Sequence, residues 1–452
     1  MAETQEQEKP QKRLQRFSDA LESGRLVNIR QMVNELHPAE IGHLLESLPQ
    51  NERGLVWDMV ESEKSGEVLS YVNDDVRAKL IREMEADELV AAAESLDTDD
   101  LADILQDLPD RVIREVLQSM SEQDRIRLEA VLSYPEDCAG GLMNIDTVTV
   151  RPHVTIDVVL RYLRLRGELP EMTDHLFVVD HNDKFLGLLS IADILTKDPG
   201  QVVGRVMMRD FQPIPADMPE SEVAGLFEKR DLVSAAVVDA SGKLLGRITI
   251  DDVVDVIRDE AEHSIMSMAG LDEEDDIFAP VVVSSRRRGI WLGINLLTAL
   301  TASWVIGLFD ATIEQVVALA VLMPIVASMG GIAGSQTLTL VIRGMALGHI
   351  GPANARHILI KELAVGSLNG VLWALVVAVV TMFWFENFMI GVIIAAAMLI
   401  NLFAAALAGA TIPLMMSKMG VDPALSSSVI LTTVTDVVGF FAFLGLATLI
   451  LL

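Results

Sequence analysis

Two patterns of hydrophobic and polar positions divide the chain. After Arg288, five apolar stretches follow in close succession, roughly Gly289–Phe309, Val316–Ile342, Ile358–Phe385, Met389–Met416 and Ala424–Leu452. Each exceeds the ~20 residues that a helix needs to cross ~30 Å of hydrocarbon, and a soluble core rarely needs so many long apolar runs in a row. The pattern predicts five transmembrane helices. Before Arg286 the chain alternates instead between short amphipathic segments and polar turns. Between about Gly141 and Ile257 those segments repeat. The first copy runs through Met143, Val148-Thr149-Val150, Phe177-Val178-Val179-Asp180 and Gly187-Leu188-Leu189-Ser190-Ile191-Ala192-Asp193. The second runs through Val206-Met207, Pro213-Ile214, Ala236-Val237-Val238-Asp239 and Gly246-Arg247-Ile248-Thr249-Ile250-Asp251-Asp252. Each copy predicts a short strand, an amphipathic helix, two strands joined by a polar turn, and a closing helix. In each, a Ser or Thr stands three residues before an Asp, as at a helix N-terminus.

Residues of about 18–135 are polar, acidic and helix-patterned, with Leu-Pro breaks. Leu48-Pro49…Arg53 echoes Leu108-Pro109…Arg111, which predicts short helices stacked as a superhelix. Asp99 and Asp103 lie one turn apart on one helical face, a carboxylate pair that a solvated face explains as readily as a site does. From Asp251 to Glu262 runs an acidic helix, and His263 to Phe278 continues to the membrane. This is a connector suited to transmitting a rearrangement, or simply a solvated linker.

Charge sharpens the division. The net charge is −30, yet from Arg286 onward seven Lys/Arg face six Asp/Glu, so the apolar part is +1 and residues 1–285 carry −31. So acidic a soluble part argues against nucleic acid, whose phosphates need a basic footprint. It suits cation binding or solubility. The single cysteine, Cys138, excludes an internal disulfide framework and fits a reducing compartment. The opening residues show no apolar signal-peptide core, so the N-terminal part is expected in the cytosol. Basic residues flank the first span (Arg286, Arg287, Arg288), the second-to-third connection (Arg343, Arg356, Lys361) and the fourth-to-fifth connection (Lys418). They place the N-terminus inside and the C-terminus outside. Four of the five tryptophans (Trp291, Trp304, Trp373, Trp384) lie in this part, several near span ends.

Polar residues inside spans are the informative ones. Asp436 is the acid well within a predicted span, and a carboxylate there costs at least ~2.5–3.5 kcal/mol unless it meets water or a partner. Thr432 and Ser428 precede it at one-turn intervals and make an oxygen-bearing stripe. The alternatives are a carboxyl packed between helices and a ligand lining a cation path. The second span holds Pro324 and Gly330-Gly331-Ile332-Ala333-Gly334-Ser335-Gln336. Such residues loosen a helix and expose carbonyls, or let helices approach closely. The spans contain no metal-ligating His pair, and the chain has no His-Glu-x-x-His, Gly-x-Ser-x-Gly or P-loop pattern, so nothing points to an enzyme.

The doubled Gly-x-x-Ser/Thr-x-x-Asp ending makes the repeat resemble tandem CBS domains. That resemblance implies contacts to adenine nucleotides such as ATP from Ser190, Asp193, Thr249 and Asp252, although helix capping alone explains these residues. With Met323-Pro324…Gly330-Gly331-x-x-Gly334-x-Gln336 and Asp422-Pro423-Ala424-Leu425…Thr432…Asp436-Val437, the whole chain resembles MgtE-type magnesium transporters and channels. The resemblance implies an α-helical membrane protein with five transmembrane helices, a cytosolic all-α superhelical domain and α+β tandem CBS domains. It further implies a homodimer in the lipid bilayer of a bacterial inner membrane, passing Mg²⁺ and sensing it in the cytosol. Its divisions fall at 1–17 (tail), 18–136 (helical domain), 137–200 and 201–258 (CBS units), 259–285 (connector) and 286–452 (pore).

By the same resemblance Asp436, Thr432, Ser428, Gly331 and Gln336 line the ion path, and Asp99, Asp103, Asp231, Asp252, Asp255 and Glu260 bind regulatory Mg²⁺. Ile332 and Ser428 stand where the family often has Asn, and His263, Ser264, Pro219 and Ser221 where it often has acids. These departures leave the number of regulatory sites open. A CBS-regulated transporter of Co²⁺ or Mn²⁺ with adenine-nucleotide modulation is the alternative. Mg²⁺ suits the chemistry, since it takes six oxygen ligands at ~2.0–2.1 Å and sheds water reluctantly.

Overall fold

The computed structural model describes residues 26–84, 88–89, 91–92, 96, 98–106, 113, 117, 122–271, 276–351 and 353–452. These fall into two compact units, one drawn from 1–261 and 274–279, the other from 262–273 and 280–452.

The first unit opens with short helices: α1 (Leu26–Asn34), α2 (Pro38–Glu46), α3 (Gln50–Trp57), α4 (Ser62–Ser70), α5 (Asp74–Glu83), α6 (Thr98–Gln106) and α7 (Glu122–Val131). The prolines act as helix starters: Pro38 occupies the first turn of α2, and Pro49 is the residue that leads into α3. The apolar faces of these helices meet in a core around Ile29, Val33, Ile41, Leu45, Val56, Val68 and Leu80. Arg53 is buried among them. Its guanidinium donates to the Leu45 and Leu48 carbonyls at 2.9 and 3.1 Å, and grips both carboxylate oxygens of Asp276 at 2.9 and 3.1 Å. Lys79 reaches the same carboxylate at 2.9 Å. Burial alone would raise the Asp276 carboxyl, but the Arg53 and Lys79 bonds outweigh it and hold it down at about 2.

The repeat folds as two matching halves. The first contains β1 (Thr149–Val150), α8 (Ile156–Arg166), β2 (His175–Val179), β3 (Phe185–Ser190), α9 (Ile191–Thr196) and the short α10 (Val203–Val206). The second contains β4 (Ile214–Pro215), α11 (Glu220–Arg230), β5 (Ser234–Val238), β6 (Leu244–Thr249) and α12 (Ile250–Met268). Each sheet pairs its first strand parallel to the second and the second antiparallel to the third, and each shifts register at the same place, Val178/Val179 and Val237/Val238. The leader of each half pairs with the closing strand of the other: Asn144 bridges to Arg247, and Met208 to Leu188. This exchange explains the doubled glycine. A β-carbon on Gly187 would stand 2.2 Å from the Met208 carbonyl oxygen, and one on Gly246 2.7 Å from that of Asn144.

The second unit holds α13 (Val281–Gly307), the short α14 (Asp310–Gln315), α15 (Ala318–Ala346), α16 (Ala355–Phe385), α17 (Phe388–Lys418) and α18 (Pro423–Leu451). Five helices among the described residues are long and apolar enough to cross a membrane. α17 is the most enclosed and packs against α15, α16 and α18, with Ile394, Ala397, Met398, Leu402 and Ala405 buried along it. Leucines and isoleucines on α13 and α16, such as Leu292, Leu297, Leu368 and Leu375, remain exposed, as lipid-facing side chains do. The first long helix starts at Val281, so the arginines at 286–288 lie within it rather than before it. The loosening expected from Pro324 and the glycines does not occur. α15 runs as one continuous helix from Ala318 to Ala346 because its glycines are taken up by packing, Gly330 against Asn401 and Gly334 against Leu431.

Candidate functional site

A groove of about 870 Å³ runs along one face of α15 and α18. From α15 it takes Ala327, Ser328, Gly331, Ile332, Ser335, Gln336, Thr339, Leu340 and Arg343, and from α18 Thr432 and Asp436. Ser328, Ile332, Ser335, Thr339 and Arg343 recur every three or four residues, so a single helical stripe is presented. Gly331 has open space where a side chain would stand, whereas the flanking Gly330 and Gly334 are filled by neighbours. Asp436 is half-buried, and Thr432 beside it is exposed and donates its hydroxyl to the Ser428 carbonyl at 2.9 Å. Four expected path residues, Gly331, Gln336, Thr432 and Asp436, therefore share one groove. Ser428 lies a turn further along α18, outside the groove lining.

A second buried acid escaped the hydropathy pattern. Glu362 on α16 is 6% exposed, accepts from the Thr337 hydroxyl at 3.4 Å and meets Lys361 at 3.2 Å. It falls near the start of the predicted stretch Ile358–Phe385, beside Lys361, and was not singled out there; α16 begins slightly earlier, at Ala355. Asn401, wholly buried on α17, was likewise missed, because an isolated amide in an apolar run carries no periodic signal. Arg343 lines the groove although in sequence it marks the end of a span.

In the first unit, Asp252 sits in the first turn of α12 and accepts from the Thr249 backbone N–H at 3.1 Å and the Thr249 hydroxyl at 3.0 Å. Burial, with the neighbouring charges of Asp251 and Asp100, pushes its carboxyl up to about 7 despite those bonds. Asp255 is raised by burial against the pull of Arg258, which it meets at 3.1 Å. Tyr71 is raised by burial and then by the charges of Asp100 and Asp255. Asp99 and Asp103 fall on α6, but their side chains lie outside the described residues; Asp100 on the same helix adds its charge at Asp252, after the larger effect of Asp251.

Glu220, at the start of α11, is pushed up to about 7 by burial, then by Asp137, Glu260 and Asp259. It was not singled out in sequence, where Pro219 and Ser221 on either side drew attention as departures. Asp231 is exposed and ends α11 in the left-handed conformation, φ 51°. Among the described residues no three His, Cys, Asp or Glu side chains are arranged to hold a metal ion together.

Ser190 caps α9, accepting from the Ala192 N–H at 3.1 Å, and Asp193 lies 3.7 Å from Lys197. In the second unit His263, near the end of α12, places Nε2 3.0 Å from an oxygen of Asp422. Asp422 in turn caps α18, accepting from the Ala424 N–H at 2.9 Å.

A bundle of helices long and apolar enough to cross a membrane, with a groove that holds a carboxylate, in one chain with a paired α+β module, defines a membrane transport protein. Residues 323–446 match the MgtE divalent cation transporter family, 36–137 the MgtE intracellular N domain, and 139–200 and 203–259 the CBS domain. The chain is 31% identical over 449 residues to the magnesium transporter MgtE of Thermus thermophilus, covering 96% of this chain and 98% of that one. To the magnesium transporter MgtE of Bacillus subtilis it is 25% identical over 428 residues, 95% of each chain. A solved cytosolic domain of the Mg²⁺ channel MgtE in complex with ATP is 32% identical, with TM-score 0.49, covering 53% of this chain and 98% of that one. The chain belongs to the MgtE family of magnesium transporters, a family of transporters and not of enzymes.

Proposed function

We propose that this protein is a Mg²⁺-selective channel or transporter for magnesium uptake across a bacterial inner membrane, working as a homodimer with its N-terminus in the cytoplasm and its C-terminus outside. The observation that carries this reading is Asp436, half-buried at membrane depth and open to the same groove as Thr432, Gly331 and Gln336. A half-groove on one chain becomes a closed path when a two-fold axis brings its copy opposite, and the two Asp436 carboxylates then face each other. A path with so few fixed charges suits an ion that sheds water reluctantly. Ser428 extends the oxygen-bearing stripe towards one end.

The acids of the helical domain, the CBS units and α12 form the cytosolic sensor: Asp99, Asp103, Asp231, Asp252, Asp255 and Glu260, joined by Asp100 and Glu220. Two carboxylates ~4 Å apart in a partly screened site repel by about 4 kcal/mol. Without Mg²⁺ this repulsion keeps the acidic surfaces apart, and bound Mg²⁺ cancels it and draws them together. Moving a two-state gate from 1:99 to 99:1 requires about 5.5 kcal/mol of differential binding, within reach of a few such sites. The contact of His263 on α12 with Asp422, the cap of the helix that carries Asp436, supports α12 as the element that conveys this change. ATP binding at Ser190, Asp193, Thr249 and Asp252 modulates the same sensor, supported by the ATP complex of the related cytosolic domain.

The test is Mg²⁺ uptake into liposomes containing the full-length protein, with Co²⁺ and Mn²⁺ compared. Asp436→Asn is expected to lower Mg²⁺ uptake at least about tenfold, and internal Mg²⁺ in the millimolar range to inhibit the unaltered protein. Wild-type uptake by Asp436→Asn would remove the groove from the ion path; flux indifferent to internal Mg²⁺ would remove the sensor.

A further inference from the structure

Asn401 stands in the middle of α17 with no exposed surface, among buried Ala397, Met398, Leu402 and Ala405. Its Nδ2 donates to the Val326 carbonyl of α15 at 2.8 Å. The same amide packs against two glycines on two other helices. A β-carbon on Gly330 of α15 would be 2.3 Å from Nδ2, and one on Gly439 of α18 would be 2.7 Å from it. One side chain thus fills the space that both glycines leave, touching α15 and α18 together. Its Oδ1 is buried and has no hydrogen-bond partner among the described residues. An apolar residue of the same size would avoid that unsatisfied oxygen, so packing alone does not account for an amide here.

The placement relates it to the groove. Gly330 adjoins Gly331, which lines the groove, and Gly439 lies one helical turn beyond Asp436. Val326, whose carbonyl is held, immediately precedes the lining residues Ala327 and Ser328. Asn401 therefore meets both groove helices from behind, within a turn of their lining residues. We infer that Asn401 is a positioning residue for ion passage. It sets the separation and rotation of α15 against α18, so that the Gly331–Gln336 stripe and Asp436 look into one space. This rests on the groove being the ion path.

The experiment measures Mg²⁺ uptake against external Mg²⁺, and Mg²⁺ preference over Co²⁺, for the full-length protein in liposomes, with Asp436→Asn assayed alongside. Asn401→Ala is expected to raise the half-saturating Mg²⁺ concentration about fivefold or more and to weaken the preference for Mg²⁺, with maximal flux falling less. Gly330→Ala is expected to yield poorly assembled protein, since its methyl collides with the amide. Gly330→Ala combined with Asn401→Ala should restore monodisperse protein, because the methyl takes the vacated space. Half-saturation should stay raised, because the Val326 carbonyl is no longer held.

Wild-type half-saturation and preference in Asn401→Ala, with Asp436→Asn impaired, would overturn the role of Asn401 alone. A double variant that stays aggregated would overturn it too, since amide and methyl would then not compete for one space. Full activity in Asp436→Asn would instead overturn the ion path itself.

Discussion

Replacing Asp252 with Asn probes the sensor at a residue where charge is held at high cost. Burial, Asp251 and Asp100 move its carboxyl from 3.8 to about 7. Between those values the unfolded chain gives up the proton while the folded chain keeps it, so metal-free protein loses stability as pH rises through that window. Over a span of roughly 3 pH units, at about 1.4 kcal/mol each, the loss reaches at most about 4 kcal/mol near pH 8. Asn keeps an oxygen for the two Thr249 bonds and carries no charge. Asp252→Asn is therefore expected to stabilise metal-free protein by about 1–3 kcal/mol near pH 8, the gain shrinking towards pH 5. A cation bound at the wild-type carboxylate returns stability by mass action, about 2.7 kcal/mol at a hundred times its dissociation constant. The variant forgoes that return.

The assay is thermal unfolding of the full-length protein in detergent near pH 5 and pH 8, with EDTA or Mg²⁺ at matched ionic strength. Flux against internal Mg²⁺ is measured in parallel. The variant should melt higher than wild type in EDTA near pH 8, gain less from Mg²⁺, and need more internal Mg²⁺ to shut. An undiminished Mg²⁺ gain together with unchanged inhibition would refute Asp252 as part of the sensor.

Two further changes test the scaffold. Arg53→Met strips Asp276 of its bidentate partner while Lys79 remains, so a loss of about 3 kcal/mol in unfolding free energy is expected near neutral pH. Because Asp276 is held at about 2, its contribution is present above pH 4 and fades as pH falls towards 2. Urea titrations of Arg53→Met should show a weaker acid dependence in that window, and equal midpoints for both proteins would refute the pairing. Gly187→Ala drives a methyl to within 2.2 Å of the Met208 carbonyl oxygen, so a loss of at least about 2 kcal/mol is expected. A melting temperature within a degree of wild type would show that the exchanged pairing of the two halves is absent in solution.

Much of the architecture was legible because its causes are local. Five long apolar runs became five long helices, since backbone polar groups in hydrocarbon must be satisfied within the segment. The repeated strand, helix and turn pattern became two three-stranded sheets with matching register shifts, since each copy carries its own turn and capping signals. Boundaries read from hydropathy strayed where charge and helix part company. The arginines at 286–288 are good helix formers and lie inside α13, ahead of the start predicted at Gly289.

By itself, then, the sequence determined the class of each element, the spans, the internal duplication and the acid at membrane depth. Each of these depends on residues within a turn or a few strands of one another. Only the tertiary structure decided which distant residues share a space. It paired Asn144 with Arg247 and Met208 with Leu188, added the charge of Asp100 to that of Asp251 at Asp252, and set Asn401 between Gly330 and Gly439. Such contacts join residues far apart along the chain, and their strength comes from burial and close approach, quantities that periodicity and composition do not carry.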